Sequence, residues 1–158
     1  MKPAAVSLAL ALAATGGPAA AFDPIAFFTG PSHGTGRMEQ VLKATRSVRV
    51  DSVGHAERDG TLVIKQRVMI EGDPPRDRIW RLRRTSTGNY TGTLSDAVGP
   101  VIAQTIGNSI LISYSMKGNL KVSQILTPID NGRAVDNRMT IRKWGMKVAS
   151  LTERIEKR

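Results

Sequence analysis

The stretch NSILISYSMKGNLKVSQIL, residues 108–126, decides the fold. Ile110, Ile112, Tyr114 and Met116 fall on one parity, with Ser113, Ser115 and Lys117 on the other. Lys117-Gly118-Asn119 interrupts the pattern, and Leu120, Val122, Gln124 and Leu126 resume it. A period of two with one apolar face marks a half-buried strand, whereas a helix repeats every 3.6 residues. Gly and Asn accept the positive φ that a tight hairpin demands. The stretch therefore reads as two antiparallel strands joined by a short turn.

The same rhythm runs through the chain on both sides. Leu62, Ile64, Val68 and Ile70 oppose Lys65, Arg67 and Glu71; Val135, Met139 and Ile141 follow later, with Asn137 interrupting. Turn residues punctuate the runs at Asp59-Gly60, Gly72 to Pro75, Thr87-Gly88-Asn89 and Asp130-Asn131-Gly132. The spacing predicts roughly eight to ten strands over 34–44, 46–57, 61–71, 76–86, 89–96, 100–106, 108–117, 119–128, 134–144 and 146–156, irregular around Gly99-Pro100. No long amphipathic helix is present in the pattern. An open sheet of that size would leave unpaired edges, and closure into a barrel removes them. The expected fold class is all-β, a single antiparallel barrel over 22–158, with Phe-, Pro- and Gly-rich residues 22–33 covering one end.

Residues 1–21 read as an address. Lys2 supplies a positive start, Ala4 to Ala14 an apolar stretch, and Ala19-Ala20-Ala21 the small residues a signal peptidase needs. The run falls short of the roughly 20 apolar residues of a spanning helix. A signal peptide cleaved after Ala21, a periplasmic or secreted location and no membrane-spanning segment are the expectations. The chain has 158 residues and no cysteine, which rules out disulfides, thiolate metal sites and a cysteine nucleophile. Its 41% apolar content suffices for a core.

Catalytic and metal signals are missing from the spacing. His33 and His55 form no metal pattern, and Gly34-Thr35-Gly36 lacks the further glycine of a dinucleotide loop. Asp96 and Asp130 are the best acid–base pair on offer, with nothing bringing them together. We therefore expect no catalytic residue, no metal, no cofactor and no enzyme. The formal net charge is +10, densest at Arg76, Arg78, Arg81, Arg83 and Arg84 around Trp80. An exported protein rarely meets nucleic acid, and exposed stacking rings are few, so nucleic acid is not an expected partner. A solvated cationic face and attraction to an anionic envelope surface both fit the charge.

Parity places Trp80 and Leu82 inward, and Arg78 and Arg84 with them. A guanidinium inside a barrel is costly unless paired. Arg78 then pairs with a structural carboxylate such as Glu71 or Asp96, or receives the acid group of a ligand; Arg84 reaches the rim. The remaining wall is aliphatic with methionines, which suits either a filled core or an apolar cavity. The candidate ligand-binding residues are Arg78, Trp80, Leu82, Tyr114, Met116, Asn137 and Met139. Trp144 has the opposite parity from Met139 and Ile141 and is expected to pack over a barrel end.

A series of short motifs carries a resemblance. Phe27-Phe28-Thr29-Gly30 precedes Gly34-Thr35-Gly36; Asp77-Arg78-Ile79-Trp80 precedes Tyr90-Thr91-Gly92 and Asp96-Ala97-Val98-Gly99. Gly107-Asn108-Ser109, Asn137-Arg138-Met139 and Lys143-Trp144-Gly145 complete it. In this order they resemble an uncharacterised, domain-of-unknown-function family of proteobacterial envelope proteins with a lipocalin-like (calycin) barrel. The resemblance implies a lipocalin-like fold and an envelope location, and no activity. Many relatives look like lipoproteins with a cysteine after the signal, which this chain lacks; their acidic-aromatic stretch is reduced here to Ile129-Asp130-Asn131. Wall and resemblance together lead us to expect binding of a small apolar or amphipathic ligand, a lipid or fatty acid, in the barrel. The alternative is a non-catalytic envelope accessory or scaffold protein whose basic face contacts a partner or an anionic envelope surface.

Overall fold

The computed structural model describes residues 21–158, so the leader read over residues 1–21 lies outside the described residues apart from Ala21. A short helix, α1 (Pro24–Phe28), leads into ten strands. These are β1 (Gly30–Gln40), β2 (Arg46–Ala56), β3 (Leu62–Ile70), β4 (Arg76–Ser86), β5 (Asn89–Leu94), β6 (Ala97–Ile106), β7 (Ser109–Met116), β8 (Leu120–Ile129), β9 (Ala134–Lys143) and β10 (Met146–Lys157). Each strand pairs antiparallel with its sequence neighbours, and β1 also pairs with β10, which closes the barrel. Closure satisfies every strand edge, so no row of backbone donors is left open.

The hairpin that opened the reading folds as its pattern demands. Ile112 faces Gln124 and Tyr114 faces Val122 across the β7–β8 ladder. Gly118 and Asn119 take φ values of 78° and 60° in the turn. Two boundaries differ from expectation. β1 starts at Gly30, so only α1 is left of the segment expected to cover an end. β6 starts at Ala97 and passes Gly99-Pro100 as a bulge between Val98 and Ile102. Proline cannot donate to a ladder, and a bulge is where a strand tolerates it.

The core fills the cylinder. Leu62, Val101, Ile110 and Val135 are completely buried, and Trp80 meets Tyr114 edge to face with ring centroids 5.5 Å apart. α1 plugs one end. Asp23 caps it by accepting from the Ile25 N–H at 2.9 Å, and Pro24 fits the first turn, where no N–H partner exists. The buried Phe27 and Phe28 of this helix meet edge to face, and Phe22 packs against Phe27. The Phe28 carbonyl lies so close to Gly54 that a Cβ there would collide with it. Lys157 reaches over from β10 and donates to the Ala26 and Thr29 carbonyls. Trp144, expected to pack over an end, instead stands 70% exposed in the two-residue β9–β10 turn, where it takes φ 49° and Lys143 Nζ lies 4.8 Å from its ring centroid.

Candidate functional site

One side of the lumen carries a polar ladder. Ser32, Ser52, Gln66 and Arg78 are successive register partners on β1, β2, β3 and β4, so all four point inward. Gln66 organises them. Its Nε2 donates to Ser52 Oγ at 3.0 Å, and its Oε1 accepts from Arg78 Nε at 3.0 Å and Trp80 Nε1 at 2.7 Å. The Arg78 guanidinium lies 5.7 Å from the Trp80 ring centroid. No carboxylate among the described residues forms an ion pair with it. Neither expected structural partner bonds it: Glu71 accepts the Ser47 N–H at 3.0 Å, and Asp96 accepts the Ser95 hydroxyl at 3.2 Å through one oxygen, with the other buried and unpartnered, so that it reaches Arg78 only through its field. Arg84 does reach the rim, where it pairs with Asp23 at 2.9 Å.

The other side holds a buried acid. Glu153 on β10 is 6% exposed and accepts from Asn137 Nδ2 at 2.9 Å. Its carboxyl occupies the space that a Cβ on Gly34 would need. Burial pushes the Glu153 carboxyl above its ordinary range, while the Asn137 bond and the field of Arg78 pull it back. Burial likewise lowers the Arg78 guanidinium and raises the Tyr114 phenol, which accepts from Gln124 Nε2 at 3.0 Å. Asn137 Oδ1 and Ser32 Oγ are buried without a partner. The lumen thus presents a cation that no carboxylate contacts, though Asp96 and Glu153 lie within its field, and a carboxyl that burial biases toward its neutral form.

Between the two sides lies a cavity of about 60 Å³, lined by Gln66, Arg78, Trp80, Leu82, Asn137 and Glu153 and roofed by Pro24 and Phe28 of the plug. Drug-sized ligands occupy roughly 300–1,000 Å³. Of the two expected interiors, the filled core describes this barrel. The residual space suits a small polar group rather than an acyl chain.

Of the expected ligand-binding residues, Arg78, Trp80, Leu82 and Asn137 reach this cavity. Tyr114 and Met139 are buried in the surrounding core, and Met116 is partly buried against it; none of the three lines the space, although Tyr114 bonds Gln124, which does. Gln66 and Glu153 were missed. Gln66 shares parity with Ile64 and Val68, and Glu153 shares it with Leu151 and Ile155, so a polar residue on an apolar face was the available signal. His33 bonds Asp51 at 2.7 Å away from the lumen, which lowers the Asp51 carboxyl. Asp96 and Asp130 sit at opposite ends of the barrel, in the β5–β6 and β8–β9 connections.

Comparison with known structures shows the same architecture. The S-type phycobiliprotein lyase CPES from Guillardia theta superposes with a TM-score of 0.68 at 6% identity, over 85% of this chain and 90% of that one. Rv2717c from M. tuberculosis superposes with a TM-score of 0.60 at 12% identity, over 87% of this chain and 99% of that one. These likenesses establish the lipocalin-like barrel. They also correct the expectation of a protein without catalysis: the fold includes a phycobiliprotein lyase, so missing catalytic spacing is no ground for excluding an enzyme. No curated protein matches the sequence. Among the described residues no helix is long and apolar enough to cross a membrane. The model of the family described as "Protein of unknown function (DUF3833)" matches residues 9–157, and this chain belongs to that family.

Proposed function

We propose that residues 22–158 form an exported, lipocalin-like barrel that receives a small amphipathic molecule, such as a fatty acid, acid group first. The observation that carries this reading is Arg78, a lumen-facing guanidinium held by Gln66 and lacking a carboxylate partner among the described residues. A ligand carboxylate supplies the missing counter-ion through charge-assisted bonds. Glu153, biased toward its neutral form by burial, then donates its proton's hydrogen bond rather than repelling the acid. The 60 Å³ space accommodates the head group, and the tail requires α1 to move off Pro24 and Phe28. Export is the companion proposal, supported by the leader pattern of residues 1–21.

Calorimetric titration with decanoate tests it. The wild type is expected to bind, and Arg78→Gln to bind at least tenfold more weakly with an unchanged melting temperature. Equal binding by the two proteins, or none by either, overturns the reading. Native mass spectrometry of protein taken from a periplasmic extract adds a second readout, a bound lipid or fatty acid. The small interior specifically favours the rival reading, an envelope accessory barrel that works through its surface.

A further inference from the structure

The end of the barrel opposite the plug carries two side chains that the fold itself does not call for. Leu42 in the β1–β2 turn is fully exposed with φ 60°, and Trp144 in the β9–β10 turn is 70% exposed with φ 49°. Positive φ is costly for bulky residues, and the other positive-φ residues among those described are Gly, Asn or Asp. The two turns are neighbours, since the Val41 N–H donates to the Val148 carbonyl at 3.1 Å. Val41 and Met146 add exposed apolar surface beside them, at 60% and 65% exposure.

Directly below these tips runs a row of cations. Lys121 on β8, Arg142 on β9 and Lys147 on β10 are register partners, so three like charges stand side by side on one outer face. Like charges directly opposite destabilise a sheet. None of the three forms an ion pair among the described residues, and neither do the nearby Lys43, Lys117 and Lys143. The acids at this end leave the row alone: Asp73 pairs with Arg46, Asp77 with Arg67, Glu71 accepts from Ser47, Asp96 accepts from Ser95 with its other oxygen buried, and Glu39 stands opposite Ser150, beyond the row. Next to the row lies a surface groove of about 420 Å³ whose polar lining includes Ser113, Ser115, Ser123 and Thr140 with Lys121 and Arg142.

We propose that this end docks on an anionic lipid bilayer, with Leu42 and Trp144 entering the headgroup–acyl boundary and lipid phosphates neutralising the cation row. The occupant follows from complementarity. Trp prefers the membrane interface, and basic residues gain from an anionic surface over a Debye length. The hydroxyl-lined groove adds neutral donors for phosphate oxygens beside two cations. This proposal is independent of the lumen reading, because none of its residues lines the central cavity.

Residues 22–158, which contain every strand of the closed barrel, are the protein to test, since the apolar leader would itself bind lipid. They are mixed with phosphatidylcholine vesicles and with vesicles containing 30% phosphatidylglycerol. Co-sedimentation is expected to be at least tenfold stronger with the anionic vesicles and to weaken in high salt. Trp144 emission shifts to the blue on binding, and the shift is absent in Trp144→Ser. Leu42→Ser/Trp144→Ser and Lys121→Gln/Arg142→Gln/Lys147→Gln each lose at least tenfold in binding while melting no lower than the wild type. Equal binding to both vesicle types, or variants that bind like the wild type, overturns the proposal. So does soluble glycerol phosphate that binds the groove while vesicles fail to shift Trp144; that result assigns the groove to a free ligand.

Discussion

The two ends of this barrel are built on opposite principles. At the plug end, Phe27 and Phe28 of α1 pack edge to face and Phe22 leans on Phe27, all three buried. Most charges there find partners: Arg84 with Asp23, Arg81 with Glu57, Arg154 with Asp130, and Lys157 with the Ala26 and Thr29 carbonyls, while Arg58 and Arg133 stand in separate turns rather than in a row. At the opposite end, Leu42 and Trp144 face water in a backbone conformation that opposes them, and a cation row goes unpaired. Folding stability explains the first end and not the second. Lys143 Nζ stands 4.8 Å from the Trp144 ring centroid, a contact worth about 0.5–1 kcal/mol at an exposed site. That is less than the left-handed penalty of about 1–2 kcal/mol. A cost left over in this way points to function, which is why the tip end, and not the better-packed plug, is read as the surface that meets a partner.

Mutations sharpen this contrast, beginning with the largest expected effect. Phe28→Ala at the plug is expected to cost about 3–5 kcal/mol in urea unfolding, because a buried ring leaves a cavity. A loss below about 1 kcal/mol would show that the plug is loosely held, and the contrast would fail. Gly54→Ala forces the Phe28 carbonyl away and is expected to cost about 1–3 kcal/mol. Dye binding to the exposed lumen offers a second readout for that variant.

The third effect depends on pH. The folded Glu153 carboxyl is raised, so its contribution to stability is whole below the ordinary carboxylate range and declines as pH rises through the elevated folded value. Urea midpoints of the wild type are therefore expected to fall over that window relative to Glu153→Gln, which keeps the Asn137 contact without an ionisable group. Parallel pH profiles for the two proteins would mean that water reaches Glu153 despite the plug. Smaller again is Asp23→Ala, which removes a helix cap and an exposed ion pair and is expected to cost about 1 kcal/mol.

The smallest effect has the opposite sign. Trp144→Asn relieves a bulky residue at positive φ and is expected to raise stability by about 0.5 kcal/mol, the left-handed penalty being about 1–2 kcal/mol per ordinary residue. Thermal melts at equal concentration measure it. A clear loss of stability would place Trp144 among the packing residues and erase the difference between the ends.

Much of the fold was legible from parity. Leu62, Ile110, Ile112 and Trp80 face inward as their alternation requires, and the Gly118-Asn119 turn adopts the positive φ its residues permit. Arg78 was also found this way, since an arginine on an apolar parity is conspicuous. Its partner was misread: Glu71 and Asp96 were the acids suggested, whereas Gln66 holds it. Register between strands decides which residues meet, and register follows from turns and closure rather than from any one strand's pattern. The same reason hid Glu153, whose seat depends on Gly34 from the far end of the chain.

The sequence by itself determined the two-residue rhythm, the turn positions and the basic charge, because these depend on neighbours along the chain. Only the tertiary structure decided that the lumen is nearly full, that Arg78 and Glu153 share it, and that Lys121, Arg142 and Lys147 stand in one row. Volume and cross-strand adjacency are properties of the closed cylinder. They arise when strands far apart in sequence are brought together, and no local pattern encodes them.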